Sequence, residues 1–219
     1  MDPRFDALLC DPADKAQLET NNALEQLNYV EHLILDQQVE AIRESHVLQL
    51  HELAVQGIFG CGGKYRSATK EVTISNSRHT LPDAAMVKTY VVDALGVIND
   101  FLERAQSPEA CTYALWRFNW IHPFAGGNGR TARMITLLAL AIRLRAMPPG
   151  VPTFPTRIER EREAYLLGLN RADHGAMDFL QAFVTTLVLE MFGNNATDLR
   201  AYLTDLQAFA TRARILGII

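Results

Sequence analysis

Apolar residues recur along most of this 219-residue chain at the three- to four-residue spacing of amphipathic helices, and strict alternation is rare. The pattern predicts a mostly helical protein. Prolines at positions 82 and 108 stand where the first residue of a helix would, and the sequence MPPG ends an apolar helix because proline interrupts it. The predicted helices cover about residues 12–27, 36–56, 82–104, 108–122, a stretch ending near 146, 157–170, 176–192 and 198–210.

One segment departs from the helical pattern. After the glycine-rich piece GIFGCGGKYRS, the sequence EVTISNSRHTLP alternates Val72 and Ile74 with polar residues and then turns, which predicts a small exposed β-hairpin. We therefore expect an all-α fold with one hairpin. The length fits a single domain over 1–219, with an N-terminal helical part (1–35), a core (36–195) and a C-terminal helix (196–219).

Composition narrows the classes of partner and compartment. The 21 basic and 25 acidic residues give a net charge of -4, which argues against nucleic acid or an anionic membrane as partner. The longest apolar run is too short to span a bilayer. Three scattered cysteines and the absence of a signal-peptide pattern predict a cytoplasmic protein, although delivery as a secreted effector stays open. The apolar C-terminal end leaves self-association open.

The stretch NWIHPFAGGNGRTAR carries the candidate chemistry. Glycines at 127 and 129 allow positive φ and let main-chain N–H groups converge at the start of a helix, where the backbone carries partial positive charge. Such a turn binds phosphate. Arg130 and Arg133 lie one turn apart and are suited to clamp further oxygens, and Asn128 offers an amide donor. The alternative is a plain glycine-rich helix entry.

His122, just upstream, has an unperturbed pKa near neutrality, so it is suited to accept a proton from an attacking hydroxyl. A base beside a phosphate turn indicates phosphoryl or nucleotidyl transfer. A zinc site is not expected, because His46 and His51 are five apart and no cysteine pair accompanies them. His51 is interpreted as a helix residue that lies near this site or simply packs in the core.

The sequence HPFAGGNGRTAR resembles the signature of the Fic family, H-x-F-x-[D/E]-G-N-G-R-x-x-R, at every fixed position except one. The resemblance implies a helical core with a β-hairpin flap and transfer of AMP from ATP to a hydroxyl of a target protein. It assigns the general base to His122, the buried anchor of the loop to Phe124, the phosphate-binding turn to Gly127, Asn128 and Gly129, and the clamps on the β and γ phosphates to Arg130 and Arg133.

The resemblance extends over about residues 20–190. EVTISNSRHTLP is similar to the flap, in which Val72, Thr73 and Ile74 would align the target segment by strand addition. IEREREAYLLGLNRADHG is similar to a segment of the adenine pocket, which implies nucleotide binding by Tyr165. Relatives often have two tyrosines and an asparagine at positions 165, 166 and 173, so Leu166 and Asp173 depart from that pattern.

Gly126 stands where the family usually has an acid that binds Mg²⁺. A hard cation prefers oxygen ligands, and glycine has no side-chain oxygen to offer. Four interpretations follow: the metal is held by phosphates and water, another acid reaches the site, the chemistry differs, or catalysis is lost. The expected function is adenylyl transfer to a Ser, Thr or Tyr hydroxyl. The alternatives are another donor (a different nucleotide, phosphocholine or a phosphoryl group) and a weakly catalytic protein that binds nucleotide or a partner.

The N-terminal sequence LETNNALEQ loosely resembles the family's autoinhibitory helix, [S/T]-x-x-x-E-[G/N]. Glu25 matches the glutamate, whereas Asn21 and Gln26 depart from the flanking positions. The resemblance implies that Glu25 pairs with Arg133 and thereby keeps the γ phosphate out.

Overall fold

The computed structural model describes residues 7–68, 72, 79–149, 152–192, 204, 205, 207, 208 and 211. Within these ranges eight α-helices follow one another: α1 Lys15–Leu35, α2 Glu44–Val55, α3 Val87–Glu103, α4 Ser107–Ile121, α5 Asn128–Leu144, α6 Phe154–Arg160, α7 Arg162–Asp173 and α8 Asp178–Phe192. A single 3-10 turn, Ala84–Met86, precedes α3. The all-α prediction is therefore confirmed.

Helix α5 is the centre of the fold. Its residues from Met134 to Ile142 are all buried, because α1, α2, α3, α4 and α6 pack around it, α4 most extensively. A helix covered on every side has no need of a polar face, which explains its apolar sequence. Its first turn, by contrast, lines a cavity. Within the described residues, no helix has the length and apolar character needed to cross a bilayer.

Several predicted helix boundaries differ from the observed ones. The helix predicted to begin at Pro82 begins at Val87, after the 3-10 turn. The first helix continues to Leu35, and the second begins only at Glu44, so residues 36–43 form a connection and not a helical start. The side chain of Asn99 on α3 holds this connection: it accepts from the Ile42 N–H at 2.8 Å and donates to the Ile42 carbonyl at 3.0 Å. A contact between residues so far apart in sequence leaves no trace in local periodicity.

The predicted helix over 157–170 is in fact two helices, α6 and α7, because the backbone at Glu161 leaves the helical region (φ -93°, ψ 38°). The predicted hairpin lies largely outside the described residues: Thr73 and Ile74 are not described, and Val72 is half-buried. Among described residues the β pairing consists of one antiparallel bridge between Leu8 and Phe59. The division at residues 35 and 195 stays a prediction.

One described residue near the C-terminus is firmly anchored. Asp205 is 1% exposed and accepts two hydrogen bonds from Arg143, at 2.8 and 2.9 Å. It also accepts from the backbone N–H and the hydroxyl of Ser107 at the start of α4, at 3.2 and 2.6 Å. This carboxylate therefore ties the C-terminal segment to the starting turn of α4 and the last turn of α5.

Candidate active site

The candidate site begins where α4 ends. His122 adopts the left-handed conformation (φ 49°, ψ 60°), and its N–H donates to the Phe118 carbonyl at 3.1 Å. A non-glycine residue in this region costs about 1–2 kcal/mol, so the surrounding structure must hold it there. This conformation ends the helix and turns the chain into the glycine loop.

Arg66 holds this turn in place. Its side chain is 8% exposed and donates from Nε to the His122 carbonyl at 2.9 Å, and from Nη2 to the Ile121 and Pro82 carbonyls at 3.3 and 2.6 Å. Its backbone N–H donates to the Pro123 carbonyl at 2.9 Å. One guanidinium thus satisfies the last carbonyls of α4, which have no helical partner, and joins them to both flanks of the predicted flap.

His122 lines a cavity of about 740 Å³, together with the glycine loop and the start of α5. Burial is the main reason why the pKa of the His122 ring is lowered to about 4; the Asn119 backbone opposes this shift, and Arg66 and His79 add to it. The ring is therefore neutral at pH 7. Its Nδ1 atom is buried and makes no hydrogen bond of ordinary geometry.

The loop is closed by Asn128. Its side-chain oxygen accepts from the Phe124 N–H and its amide donates to the Phe124 carbonyl, both at 2.9 Å. Both polar atoms of this 4% exposed side chain are therefore used inside the loop. Binding of phosphate by the Asn128 amide stays a prediction; its backbone N–H opens α5 without a helical acceptor. Phe124 is fully buried against His51.

Glycine is required at 127. Gly127 has φ +74°, and a Cβ atom there would lie 2.6 Å from Val55 Cγ1 on α2. At Gly126 a Cβ atom would contact the Phe59 ring at 3.4 Å, which is ordinary packing distance. Position 126 therefore tolerates a side chain that starts in contact with Phe59. The glycine at 127, by contrast, is enforced by both space and backbone conformation.

The two arginines of the loop are already paired in this structure. Arg130 Nη1 lies 3.3 Å from Glu19 Oε1 of α1, and Arg133 Nη2 lies 2.8 Å from Glu159 Oε2 of α6. All four residues line the cavity that contains His122. The arginine side chains are only 18% and 13% exposed, so their charges act across a partly desolvated space.

The predicted pair between Glu25 and Arg133 is not what the structure shows, because Arg133 pairs with Glu159. Glu25 is exposed, and the cavity is lined by other positions of α1, among them Glu19, Ala23 and Gln26. With 3.6 residues per turn, Glu25 lies on the opposite side of α1 from that set. Gln26 is held inward because its amide donates to the Leu50 carbonyl at 2.8 Å, which fixes the rotation of the helix.

The residues present do not form a protein-ligated magnesium site. Gly126 supplies no oxygen, and the acids among the described cavity residues, Glu19 and Glu159, are each paired with arginine. Nor does the described part of the chain bring together three or more His, Cys, Asp or Glu side chains suited to a metal. The cations among the described cavity residues are the guanidinium groups of Arg130, Arg133 and Arg162.

The predicted adenine-pocket residues do not converge on the cavity. Tyr165 is 3% exposed and stacks on Phe183, with its hydroxyl near the Asn119 side chain. Leu166 is 45% exposed on α7. Asp173 accepts from the Trp116 indole N–H at 2.8 Å and is thus engaged elsewhere. In this structure Tyr165 is a core residue, and its role in nucleotide binding stays a prediction.

The sequence analysis assigned no role at this site to three residues that the structure brings to it: Glu19, Arg66 and Glu159. It allowed His51 to lie near the site but did not predict its contact with Gly126. Arg66 and His51 act on loop carbonyls 55 to 75 positions away in sequence. Spacing within a motif carries no signal of such contacts. Glu19 could have been found by asking which acids share a helix face with Gln26, a buried residue of α1.

Comparisons with known proteins agree with this architecture. The family profile described as Fic/DOC family matches residues 41–140. A protein named "Protein adenylyltransferase Fic" from Nematostella vectensis is 30% identical over 171 residues, which are 74% of this chain but only 36% of that protein.

Solved structures show the same fold. A crystal structure of a Fic family protein from Desulfovibrio desulfuricans G20 superimposes with a TM-score of 0.62 at 26% identity, covering 87% of this chain and 56% of that one. A Fic domain containing signaling protein from Bacteroides thetaiotaomicron gives a TM-score of 0.60 at 15% identity, covering 88% and 75%. With the His122 loop and the helical core described above, these matches identify the chain as a member of the Fic/DOC family.

Proposed function

We propose that this protein transfers AMP from ATP to a Ser, Thr or Tyr hydroxyl of a target protein. The observation that carries the proposal is the shared cavity: neutral His122 lines the same space as Gly127, Gly129 and the two loop arginines. A base and a polyanion site within one cavity are what nucleotidyl transfer needs. The name of the curated relative, an adenylyltransferase, supports the same reaction class.

In the proposed reaction, His122 Nε2 takes the proton of the incoming hydroxyl while the hydroxyl oxygen forms a bond to the α-phosphorus. The bond between that phosphorus and the bridging oxygen breaks, and pyrophosphate leaves with the electron pair. The backbone N–H groups at the start of α5 and the Arg130 and Arg133 guanidinium groups stabilise the charge on the leaving group. The bound polyanion also raises the pKa of His122, which strengthens it as a base.

Paired arginines imply a cost to nucleotide binding. The polyanion must displace Glu19 and Glu159 from Arg130 and Arg133, or bind beside them. We propose that these two acids, which face the cavity, weaken binding of the β and γ phosphates. On the opposite side of α1, Glu25 would take part only if the helix rotated.

The position of the label in ATP identifies the group that is transferred. The protein is incubated with a panel of candidate targets and either α-labelled or γ-labelled ATP, with and without chelator. Adenylyl transfer gives labelled protein from α-labelled ATP alone, whereas phosphoryl transfer gives it from γ-labelled ATP alone. Label from neither, in every metal condition, contradicts transfer from ATP.

A second candidate, transfer from another donor, is favoured by one observation. Tyr165, Leu166 and Asp173 do not present an adenine-binding surface to the cavity. The same assay with labelled GTP, UTP, CTP and CDP-choline tests it. Faster transfer from one of these than from ATP would identify that compound as the donor, and the proposed role of His122 would stay the same.

A further inference from the structure

His51 of α2 makes two hydrogen bonds that define its proton position. The ring is fully buried; its Nδ1 atom accepts from the Gly63 N–H at 3.1 Å, and its Nε2 atom lies 3.0 Å from the Gly126 carbonyl oxygen. A backbone N–H only donates and a carbonyl only accepts. The ring is therefore neutral, with its proton on Nε2, and this N–H donates to Gly126.

This contact fixes one peptide plane of the glycine loop. In a trans peptide the carbonyl of one residue and the N–H of the next point in opposite directions. Because His51 holds the Gly126 carbonyl toward α2, the N–H of Gly127 points away from α2. Residues of α2 do not line the cavity, whereas Gly126 and Gly127 do, so this N–H lies on the cavity side of the loop.

The orientation of the ring is itself enforced. His51 stacks on Phe124 with ring centroids 3.6 Å apart and planes within 4°. Phe124 is fully buried, and its own backbone N–H and carbonyl are both held by Asn128. The imidazole therefore has a fixed plane and fixed partners at both nitrogens. Glycine on both sides of the peptide would otherwise leave that peptide free to flip.

We infer that His51 is a positioning residue: as a neutral imidazole protonated on Nε2, it orients the Gly126–Gly127 peptide so that the Gly127 N–H binds the polyanion. This inference deepens the proposed function and rests on it for the identity of the polyanion as the phosphates of a nucleotide. It does not depend on which group is transferred. His51 itself touches neither nucleotide nor target.

The test uses inorganic tripolyphosphate as the probe, measured by calorimetry and by NMR of the uniformly labelled full chain. In the wild type we expect the imidazole nitrogen spectrum of His51 to show a protonated Nε2 and an unprotonated Nδ1, and the Gly127 amide to shift when tripolyphosphate is added. His51→Phe keeps the stacking volume but has no donor. We expect it to weaken tripolyphosphate binding about tenfold, the value of one charge-assisted hydrogen bond, and to abolish the Gly127 shift.

His51→Gln restores an N–H donor near the Nε2 position and should recover most of the affinity. His46→Phe makes the same substitution at another buried histidine of α2, which bonds to the Arg43 N–H outside the loop, and should leave binding unchanged. A protonated Nδ1 in the wild type, or wild-type tripolyphosphate affinity in folded His51→Phe, overturns the inference. If His51→Phe does not fold, the inference is tested in the wild type alone, by the tautomer of His51 and by the shift of the Gly127 amide on addition of tripolyphosphate. If the wild-type protein binds tripolyphosphate but does not transfer label from ATP to a target, that result counts against the proposed function alone.

Discussion

Arg133 lies 2.8 Å from Glu159 of α6, an acid that the loop motif does not contain. Its neighbour Arg130 pairs with Glu19 of α1. The two arginines that we propose to bind the terminal phosphates are thus paired with acids from two different helices that line the cavity. In the proposed complex, the nucleotide phosphates compete with these two acids for the two guanidinium groups.

Glu19→Gln and Glu25→Gln form a matched pair, because both remove one negative charge from the same helix on opposite sides. We expect Glu19→Gln to tighten ATP binding up to about fivefold, the value of a partly exposed ion pair, and Glu25→Gln to leave it unchanged. Calorimetry at low and high salt measures both, and salt should shrink the difference. A larger gain from Glu25→Gln would favour the brake expected from the sequence.

Activity should persist well below neutral pH. Burial lowers the pKa of His122 to about 4, so the ring stays neutral, and able to accept a proton, as the pH falls through 6.5. The value of kcat/KM reports the unliganded protein, and its acid limb should therefore lie nearer pH 4 than 6.5. Values of kcat/KM measured between pH 5 and 8 should be nearly flat on the acid side. A half-loss of kcat/KM at pH 6.5 would show that the ring is solvated as in a free histidine.

Gly127→Ala should destabilise the protein by about 2 kcal/mol or more. The new Cβ atom would lie 2.6 Å from Val55, and the residue would have to keep φ +74°. Gly129→Ala is the control, because its Cβ atom would meet only the flexible end of Arg133 at 3.3 Å, in the first turn of a helix. Urea unfolding of both variants gives the comparison. Equal effects would mean that the loop relaxes around Gly127.

Asp205→Ala should lower the free energy of unfolding by about 3 kcal/mol, since it removes a buried carboxylate from Arg143 and Ser107. Glu40→Ala breaks an ion pair with Arg145 that is 78% and 82% exposed, and should change stability by less than the experimental error. Thermal and urea unfolding measure both. A small effect of Asp205→Ala would mean that the C-terminal segment contributes little to the fold.

Local chemistry made the helical fold and the loop predictable. The glycines, proline starts and apolar run between residues 108 and 146 leave few alternatives for α4 and α5. The parts that were missed depend on contacts between distant residues: Asn99 stops residues 36–43 from joining α2, and Arg66 and His51 hold loop carbonyls from far upstream.

The ion pairs of the two loop arginines were missed for a related reason. A six-residue pattern with two mismatches selected Glu25, whereas the rotation of α1 about its axis is set by buried Gln26, which bonds to Leu50. That rotation turns Glu19 toward Arg130. The partner of Arg133, Glu159, lies in α6, just before the break at Glu161 that the predicted continuous helix over 157–170 did not include.

The central claim is that His122 activates a hydroxyl oxygen beside a polyanion held by the start of α5. Its most direct test compares wild type with His122→Ala for ATP binding by calorimetry and for transfer of α-labelled ATP to protein under the same conditions. The account predicts similar ATP affinity and a loss of transfer of at least a hundredfold in His122→Ala. Transfer at the wild-type rate by a variant that still binds ATP would contradict it.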